Sequence, residues 1–313
     1  MHTSFSQSII ETLAYFDIFD YPLTREELYR WLWQPGHMSY SAFVTALDTQ
    51  DQFLSVHGYY MLPGRDVLVQ KRAQTVPFVA QKMAIAKKAT KKMRWIPFVR
   101  AVFLCNTVAS GGVSEESDID VFIIVRKGRM WLTRFLVTFI VGLFGLRRNK
   151  RQVANRICLS FYVTDDNLDL SYVALASPDI YLMYWVYQLV PLYDPEAVLD
   201  DIHHNNSWIQ KYIPHGAREY QLVDQYRTEN MPIQKHVKRF FEQVWGGSYG
   251  TWLEQQAKGV QQQKMKWNTD SVQEKNNTHV VVSDKMLKFH ENDRREKYRD
   301  AWQASVSSLS SCI

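Results

Sequence analysis

Residues 102–125 read VFLCNTVASGGVSEESDIDVFIIV and carry the clearest structural signal in the sequence. It begins with a β-branched and aromatic run, passes through a turn of small residues with two glycines, and ends in a second apolar run that opens with Asp-Ile-Asp. Short apolar runs bounded by turn residues are typical of buried strands. The sequence therefore predicts two strands, over residues 99–104 and 121–125, joined by a glycine-containing turn.

The acidic pair at the start of the second run is the first candidate site. Side chains two positions apart in a strand lie on the same face, so Asp118 and Asp120 direct both carboxylates to one spot. Two adjacent carboxylates repel each other unless a cation lies between them, and Mg²⁺ prefers oxygen ligands. The pattern predicts a Mg²⁺ site, with the glycines allowing backbone amides to approach a phosphate held by the metal.

The same stretch resembles the signature of the DNA polymerase β-type nucleotidyltransferase superfamily. That signature is a Gly-Ser turn, then an Ala and a Gly, then Ser-Asp-hydrophobic-Asp opening a strand. The matching positions are Ala109, Gly111, Ser117, Asp118 and Asp120. The resemblance is close over residues 102–125 and looser over 95–170. The N-terminal segment and residues 179–185, DIYLMYW, are also similar to uncharacterised bacterial proteins of this type.

The resemblance implies Mg²⁺-dependent transfer of a nucleoside monophosphate from an NTP to an acceptor, which is a protein side chain, a small molecule or an RNA end. It implies two groups of functional residues: the catalytic, metal-binding Asp118 and Asp120, and the nucleotide-binding Asn106, Thr107, Gly111 and Ser117.

Two departures from the signature keep an alternative open. Asn106 and Thr107 stand where the superfamily has its Gly-Ser pair. The strand expected over residues 157–163 lacks the third carboxylate of active members, and Asp165 and Asp166 follow it directly. Either of these bends into the site or the site has only two acids. The alternative is a catalytically degenerate nucleotide-binding or regulatory protein on the same core.

Composition sets the broad class. With 313 residues, 46% hydrophobic and 22% charged, the chain is typical of globular proteins. Cys105, Cys158 and Cys312 are too few for a disulfide framework or a paired zinc site. The longest apolar run, residues 135–146, is shorter than the roughly 20 residues that span a bilayer, and the N-terminus has no secretory signal. We expect a cytoplasmic protein with free thiols and no membrane span.

The net charge of +5 is unevenly distributed. Residues 71–156 carry 18 basic and 4 acidic side chains, whereas the segments on either side are net acidic. A positive surface over 71–156 makes a nucleic-acid-binding regulator a further alternative. Within this segment the basic run of residues 147–151 follows an apolar helix. It suits a membrane surface, a nucleic acid or a solvated loop at the end of a buried helix.

The domain organisation follows from local signals. Over residues 1–66, three predicted helices, a capping box of Thr24 and Glu27, and a hairpin turn at His57-Gly58 predict a winged helix-turn-helix. Its third helix, over 39–50, has no Lys or Arg, which favours a packing or protein-contact role over DNA binding.

Three further regions complete the α+β prediction. Residues 67–175 form a nucleotidyltransferase-type mixed-sheet core, with a long helix that Pro77 interrupts. Residues 176–255 are expected to be helical, and 256–313 to be a polar linker and C-terminal tail, with a strand at 280–282 and a helix over 285–302. Residues 288–295 contain side chains that suit a phosphate pocket, although the sequence does not place them at the site.

Overall fold

The computed structural model describes residues 5–48, 52–175, 178–217, 225–267, 280–289 and 293–310. Over this part of the chain the fold is of the α+β class, as predicted. The α-helices are α1 (Phe5–Asp17), α2 (Arg25–Trp31), α3 (Tyr40–Asp48), α4 (Val67–Met93), α5 (Asn106–Ser110), α6 (Met130–Leu143), α7 (Ile180–Tyr187), α8 (Val198–Asn205), α9 (Pro232–Val244), α10 (Ser248–Trp267) and α11 (Arg295–Ser310). The strands are β1 (Leu23–Thr24), β2 (Leu54–Val56), β3 (Tyr59–Met61), β4 (Val99–Leu104), β5 (Ile119–Val125), β6 (Ile157–Thr164), β7 (Val190–Tyr193), β8 (Val280–Val282) and β9 (Met286–Phe289).

The N-terminal unit combines α1, α2 and α3 with an antiparallel sheet in the order β1-β3-β2. The predicted capping box begins α2: the Thr24 hydroxyl accepts from the Glu27 amide at 3.2 Å, and the Glu27 carboxylate accepts from the Thr24 amide at 2.8 Å. His57 and Gly58 join β2 to β3 with φ of 51° and 79°, the left-handed backbone that a tight two-residue hairpin requires. Both local predictions are confirmed.

The central sheet has six strands in the order β7-β4-β5-β6-β9-β8. Strands β5 and β6 run parallel, and the other neighbouring pairs are antiparallel. A parallel pair needs a crossover, which α6 provides between β5 and β6. The predicted mixed sheet is therefore present, and the β5–β6 pairing sets the site described below.

Both faces of the central sheet are buried. On one face Phe103, Phe122 and Phe161 pack in a core shared with the N-terminal helices, α7, α8 and α11. On the other face Val102, Ile123 and Tyr162 pack against α4, α6 and α10. Because successive side chains of a strand alternate between faces, each central strand serves both cores. The N-terminal unit thus shares a continuous core with the sheet.

Two expectations about helices are wrong. Helix α4 runs through Pro77 without a break. Residues 256–267, expected to be linker, belong to α10. Hydrogen bonds hold α10 against the start of α6. The Glu254 carboxylate accepts the backbone amides of Trp131 and Leu132 at 2.8 and 2.9 Å. The remainder of the predicted linker, residues 268–278, lies outside the described residues.

Two strands were missed in regions expected to be helical. Val190–Tyr193 forms β7 at the edge of the sheet, paired with β4. In the C-terminal region the strand at 280–282 is confirmed, but a second strand, β9, precedes the helix. Met286 and Leu287 are fully buried where β9 pairs with β6, and this burial explains why the chain is extended there. In the described part of the chain, no helix has the length and apolar character needed to cross a bilayer.

Candidate functional site

The structure brings Asp118 and Asp120 together at the beginning of β5. Asp120 lies opposite Cys158 of the parallel strand β6. One ligand atom from each of Asp118, Asp120 and Cys158 lies within 4.8 Å of the others, close enough to share one metal ion. The strand periodicity read from the sequence therefore placed both carboxylates correctly, whereas Cys158 could be found only from the pairing of β5 with β6.

The third position of the cluster is a thiol. Asp165 and Asp166, the two acids considered for it, lie beyond the other end of β6, where Thr164 pairs with Val125. Asp165 accepts the Lys127 amide at 2.8 Å, and Asp166 pairs with the Lys127 ammonium at 2.9 Å. Asp165 lies seven residues beyond Cys158, the residue of β6 that pairs with Asp120, which is roughly 20 Å along the strand. Of the two alternatives left open by the sequence, the structure therefore agrees with a site that has only two acids among the described residues, since neither Asp165 nor Asp166 bends into it.

A guanidinium neutralises part of the acidic pair. Arg148 Nη1 donates to Asp118 Oδ2 at 2.7 Å and lies 3.7 Å from the Cys158 sulfur. The Arg148 side chain is 47% exposed, compared with 19% for Asp118. Arg148 therefore reaches the carboxylates from the solvent side, where it can also meet an anionic ligand.

The Asp120 carboxyl lies in a largely buried position, away from bulk water. Burial, followed by the neighbouring Asp118 charge, raises the pKa of Asp120 to about 6. A hydrogen bond from Asn106 opposes this shift. Asn106 Oδ1 in turn accepts from Trp185 Nε1 at 2.8 Å and from the Tyr181 hydroxyl at 3.3 Å. The aromatic side chains of α7 thus orient Asn106 toward Asp120.

The four predicted nucleotide-binding residues occupy different surroundings. Asn106 adopts a φ of 57° and contacts Asp120, and Thr107 is exposed one residue further on. Gly111, at φ of 80°, faces the Tyr21 ring, which lies 2.9 Å from where a Cβ would stand. Ser117 accepts the Ser114 amide at 3.0 Å within the turn. Gly111 therefore permits packing by the N-terminal unit, a reason that the sequence alone did not show.

Lys82 supports the turn before the acidic pair and was not singled out from the sequence. Its side chain is fully buried, and its ammonium donates to the backbone oxygens of Glu115 and Ser117 at 3.2 and 2.7 Å, and to Asn155 Oδ1 at 2.9 Å. Burial lowers the pKa of Lys82, while Asp118 opposes the shift. Lys82 thus fixes the backbone that leads into Asp118.

An aromatic cavity of about 170 Å³ adjoins the acidic pair through Asn106. Tyr181 stacks on Tyr298 of α11 with ring centroids 5.3 Å apart, and Trp185 stacks on Phe161 at 5.4 Å. Both stacked pairs line the cavity. Flat aromatic walls with polar groups at the edge are suited to a planar, hydrogen-bonding ligand such as a nucleobase.

Charged side chains close the cavity on the C-terminal side. Arg295 pairs with Asp179 and Asp293, each at 2.8 Å, and Lys288 pairs with Asp293 at 3.1 Å. Burial, reinforced by Arg295, lowers the pKa of Lys288 to about 8. Lys288 and residues 293–295 all line the cavity. The polar stretch 288–295 noted in the sequence therefore reaches the site, apart from residues 290–292, which lie outside the described residues.

The basic surface predicted over 71–156 is smaller than its composition suggests. Several of its cations are engaged inside the protein. Arg72 pairs with Glu27, and Arg100 pairs with Glu242. Lys82 and Arg129 are buried, and Arg129 donates to backbone carbonyls of the α9–α10 turn. The exposed cations that remain are concentrated in the loop after α6 and on the outer side of α4.

Comparisons with protein-family models, curated proteins and solved structures give no match to this chain.

The raised pKa of Asp120 predicts a stability gain from Asp120→Asn in metal-free buffer. The carboxyl ionises near pH 4 in the unfolded chain and near pH 6 in the folded one, so the free energy of unfolding falls as pH rises through this interval. The neutral amide avoids that loss. We expect the variant to be more stable by roughly 1–3 kcal/mol at pH 7.5.

Denaturant unfolding at pH 4.5 and pH 7.5 with EDTA measures this effect. The gain should be small at pH 4.5, and Glu116→Gln, an exposed acid in the preceding turn, should show no comparable pH-dependent gain. An equal gain at both pH values, or a loss at pH 7.5, would contradict the assignment.

Proposed function

We propose that this protein binds an NTP with Mg²⁺ and transfers its nucleoside monophosphate to an acceptor. The observation that carries the proposal is the convergence of Asp118 and Asp120 at the start of β5, beside a cavity with aromatic walls. The resemblance of residues 102–125 to the nucleotidyltransferase signature supports it. The resemblance implies a strand, strand, helix, strand order over residues 95–170, and β4, β5, α6 and β6 follow that order, with the short helix α5 at the start of the connection between β4 and β5.

The residues present fit Mg²⁺. Burial, followed by the nearby Asp120 charge, raises the pKa of Cys158 to about 12, so the thiol stays protonated at neutral pH and is a poor ligand for a hard cation. Asp118 and Asp120 remain as the protein's oxygen ligands. Mg²⁺ is commonly held by one or two carboxylates together with substrate phosphates and water. Bound Mg²⁺ would supply positive charge against the phosphates and polarise the α-phosphate.

Several residues of the chain would bind and orient the nucleotide. Asp118 and Asp120 would hold Mg²⁺, which would supply positive charge to the triphosphate, and Asn106 orients Asp120. Arg148, which pairs with Asp118 from the solvent side, would be within reach of a phosphate oxygen. The cavity lined by Trp185, Tyr181 and their stacking partners would receive the base, with Arg295 and Lys288 also lining it. Together these contacts fix the α-phosphate for in-line attack by an acceptor hydroxyl.

We further propose that the N-terminal unit is a winged helix that shapes the site. Helix α3, in the recognition position, carries no Lys or Arg. The ring of Tyr21 lies against Gly111, and Phe19 packs on Tyr298 with centroids 4.9 Å apart. These contacts tie the unit to both the glycine turn and the aromatic cavity, a packing role that agrees with its acidic charge.

Calorimetric titration of the full chain with each NTP in Mg²⁺ tests nucleotide binding. We expect Mg²⁺-dependent binding that Asp118→Asn/Asp120→Asn weakens at least about tenfold, because both oxygen ligands lose their charge. Asp165→Asn/Asp166→Asn is the matched control, since these adjacent acids lie at the other end of β6, and it should bind as the wild type does. Folded wild-type protein that binds no NTP would contradict the proposal.

A second candidate function is nucleotide binding without transfer. Cys158 favours it, because this thiol lies opposite Asp120 on the strand where the resemblance places a third carboxylate that activates the acceptor. The two candidates make different predictions for Cys158→Asp. If only that carboxylate is missing, the variant should transfer α-labelled nucleotide to an acceptor where the wild type and Cys158→Ser do not.

The measurement is the appearance of labelled acceptor in a screen of protein, RNA and small-molecule acceptors. Transfer by the wild type would exclude the degenerate function. Absence of transfer by all three proteins, with nucleotide binding intact, would contradict the idea that position 158 alone limits activity.

A further inference from the structure

Helix α6 presents large apolar side chains to solvent. Phe135, Phe139 and Leu143 recur every four residues along its outer side and are 44%, 57% and 67% exposed. Val137 and Val141, on the inner side, are fully buried. The helix is therefore apolar on both sides, and only the inner one packs against the described part of the protein. A continuous exposed apolar stripe of this kind marks an interaction surface.

The stripe forms one wall of a groove between α6 and α10, with a volume of about 840 Å³. Val260 and Met265 of α10 stand on the opposite wall. Arg147 and Lys264 lie at the rim, and no acidic side chain lines the groove among the described residues. The groove thus joins apolar walls to a positively charged edge.

Positive charge is concentrated in the loop that follows the C-terminal end of α6. The loop over residues 147–156 contains five basic residues and no acid. Most of this loop is exposed, and its Arg147 is one of the rim residues of the groove. Beside the last turn of α6, the Lys92 ammonium lies 4.3 Å from the centre of the Phe144 ring. One face of the protein therefore carries an apolar stripe flanked by cations.

We propose that this α6–α10 face docks on the surface of a bilayer that contains anionic phospholipids. The acyl chains of such a bilayer would contact the apolar stripe, and its lipid phosphates would pair with the basic side chains beside the stripe. A nucleic acid would engage the cations but leave the exposed aliphatic side chains of Leu143 and Val260 in water. Helix α6 has 14 residues and is too short to cross a bilayer, which agrees with a helix lying in the membrane plane. The inference is independent of nucleotide binding.

Flotation of the full chain with phosphatidylcholine vesicles, with and without 30% phosphatidylglycerol, tests the proposal. We expect at least about tenfold stronger binding to the anionic vesicles, weakened by salt. Phe139→Ser/Leu143→Ser should reduce that binding about tenfold or more. Both substitutions replace exposed side chains, and equal thermal denaturation of the variant and the wild type would verify folding.

Two further variants separate the apolar and charged contributions. Val67→Ser/Val76→Ser, which changes two exposed apolar residues of α4, should bind as the wild type does. Arg147→Gln/Arg151→Gln should weaken binding to anionic vesicles. Failure of the wild type to float, or full binding by the α6 variant, would overturn the proposal. Binding to single-stranded RNA in place of vesicles would overturn it in favour of a nucleic-acid surface.

Discussion

Two like charges held side by side are the constraint around which the centre of this protein is organised. Asp120 lies in β5 and Asp118 directly precedes the strand, their carboxylates lie close together, and burial of Asp120 makes the repulsion between them costly. Neighbouring groups offset this cost. Arg148 pairs with Asp118, Asn106 donates to Asp120, and buried Lys82 anchors the turn that leads into the pair. These contacts lower the electrostatic cost of holding the two carboxylates together.

Distant parts of the chain meet at this pair. The N-terminal unit contributes the Tyr21 ring against the glycine turn, α7 contributes the aromatic side chains that orient Asn106, and the C-terminal segment contributes Arg295 and Lys288. Arg295 also pairs with buried Asp179 at the start of α7. All three segments therefore contribute side chains that contact the cavity or the glycine turn next to it.

The features that the sequence predicted are local ones. A strand period of two places Asp118 and Asp120 together whatever surrounds them, and the Thr24–Glu27 capping box and the His57-Gly58 turn depend only on near neighbours. The missed features depend on pairing between distant segments. Cys158 joins the site through the register of β5 with β6, and the C-terminal charges reach it through pairing of β9 with β6.

Amino-acid composition predicted the structure less well than local motifs did, because burial and packing also depend on contacts between distant segments. Residues 256–267 are polar overall, yet a few side chains suffice to hold α10 on α6. The positive charge of residues 71–156 counts cations such as Lys82 and Arg129 that are buried and bonded within the fold. Neither the packing of α10 nor the burial of these cations can be predicted without knowing which distant segments of the chain contact each other.

A crystal structure with Mn²⁺ and a non-hydrolysable NTP analogue would show whether the acidic pair and the aromatic cavity together bind a metal-bound nucleotide. Manganese gives an anomalous signal and accepts the same oxygen ligands as Mg²⁺. We expect an anomalous peak beside the carboxylates of Asp118 and Asp120, Arg148 turned to a phosphate, and the base in the cavity lined by Trp185 and Tyr181. Metal bound elsewhere, or a nucleotide that leaves the aromatic cavity and the acidic pair untouched, would contradict this expectation.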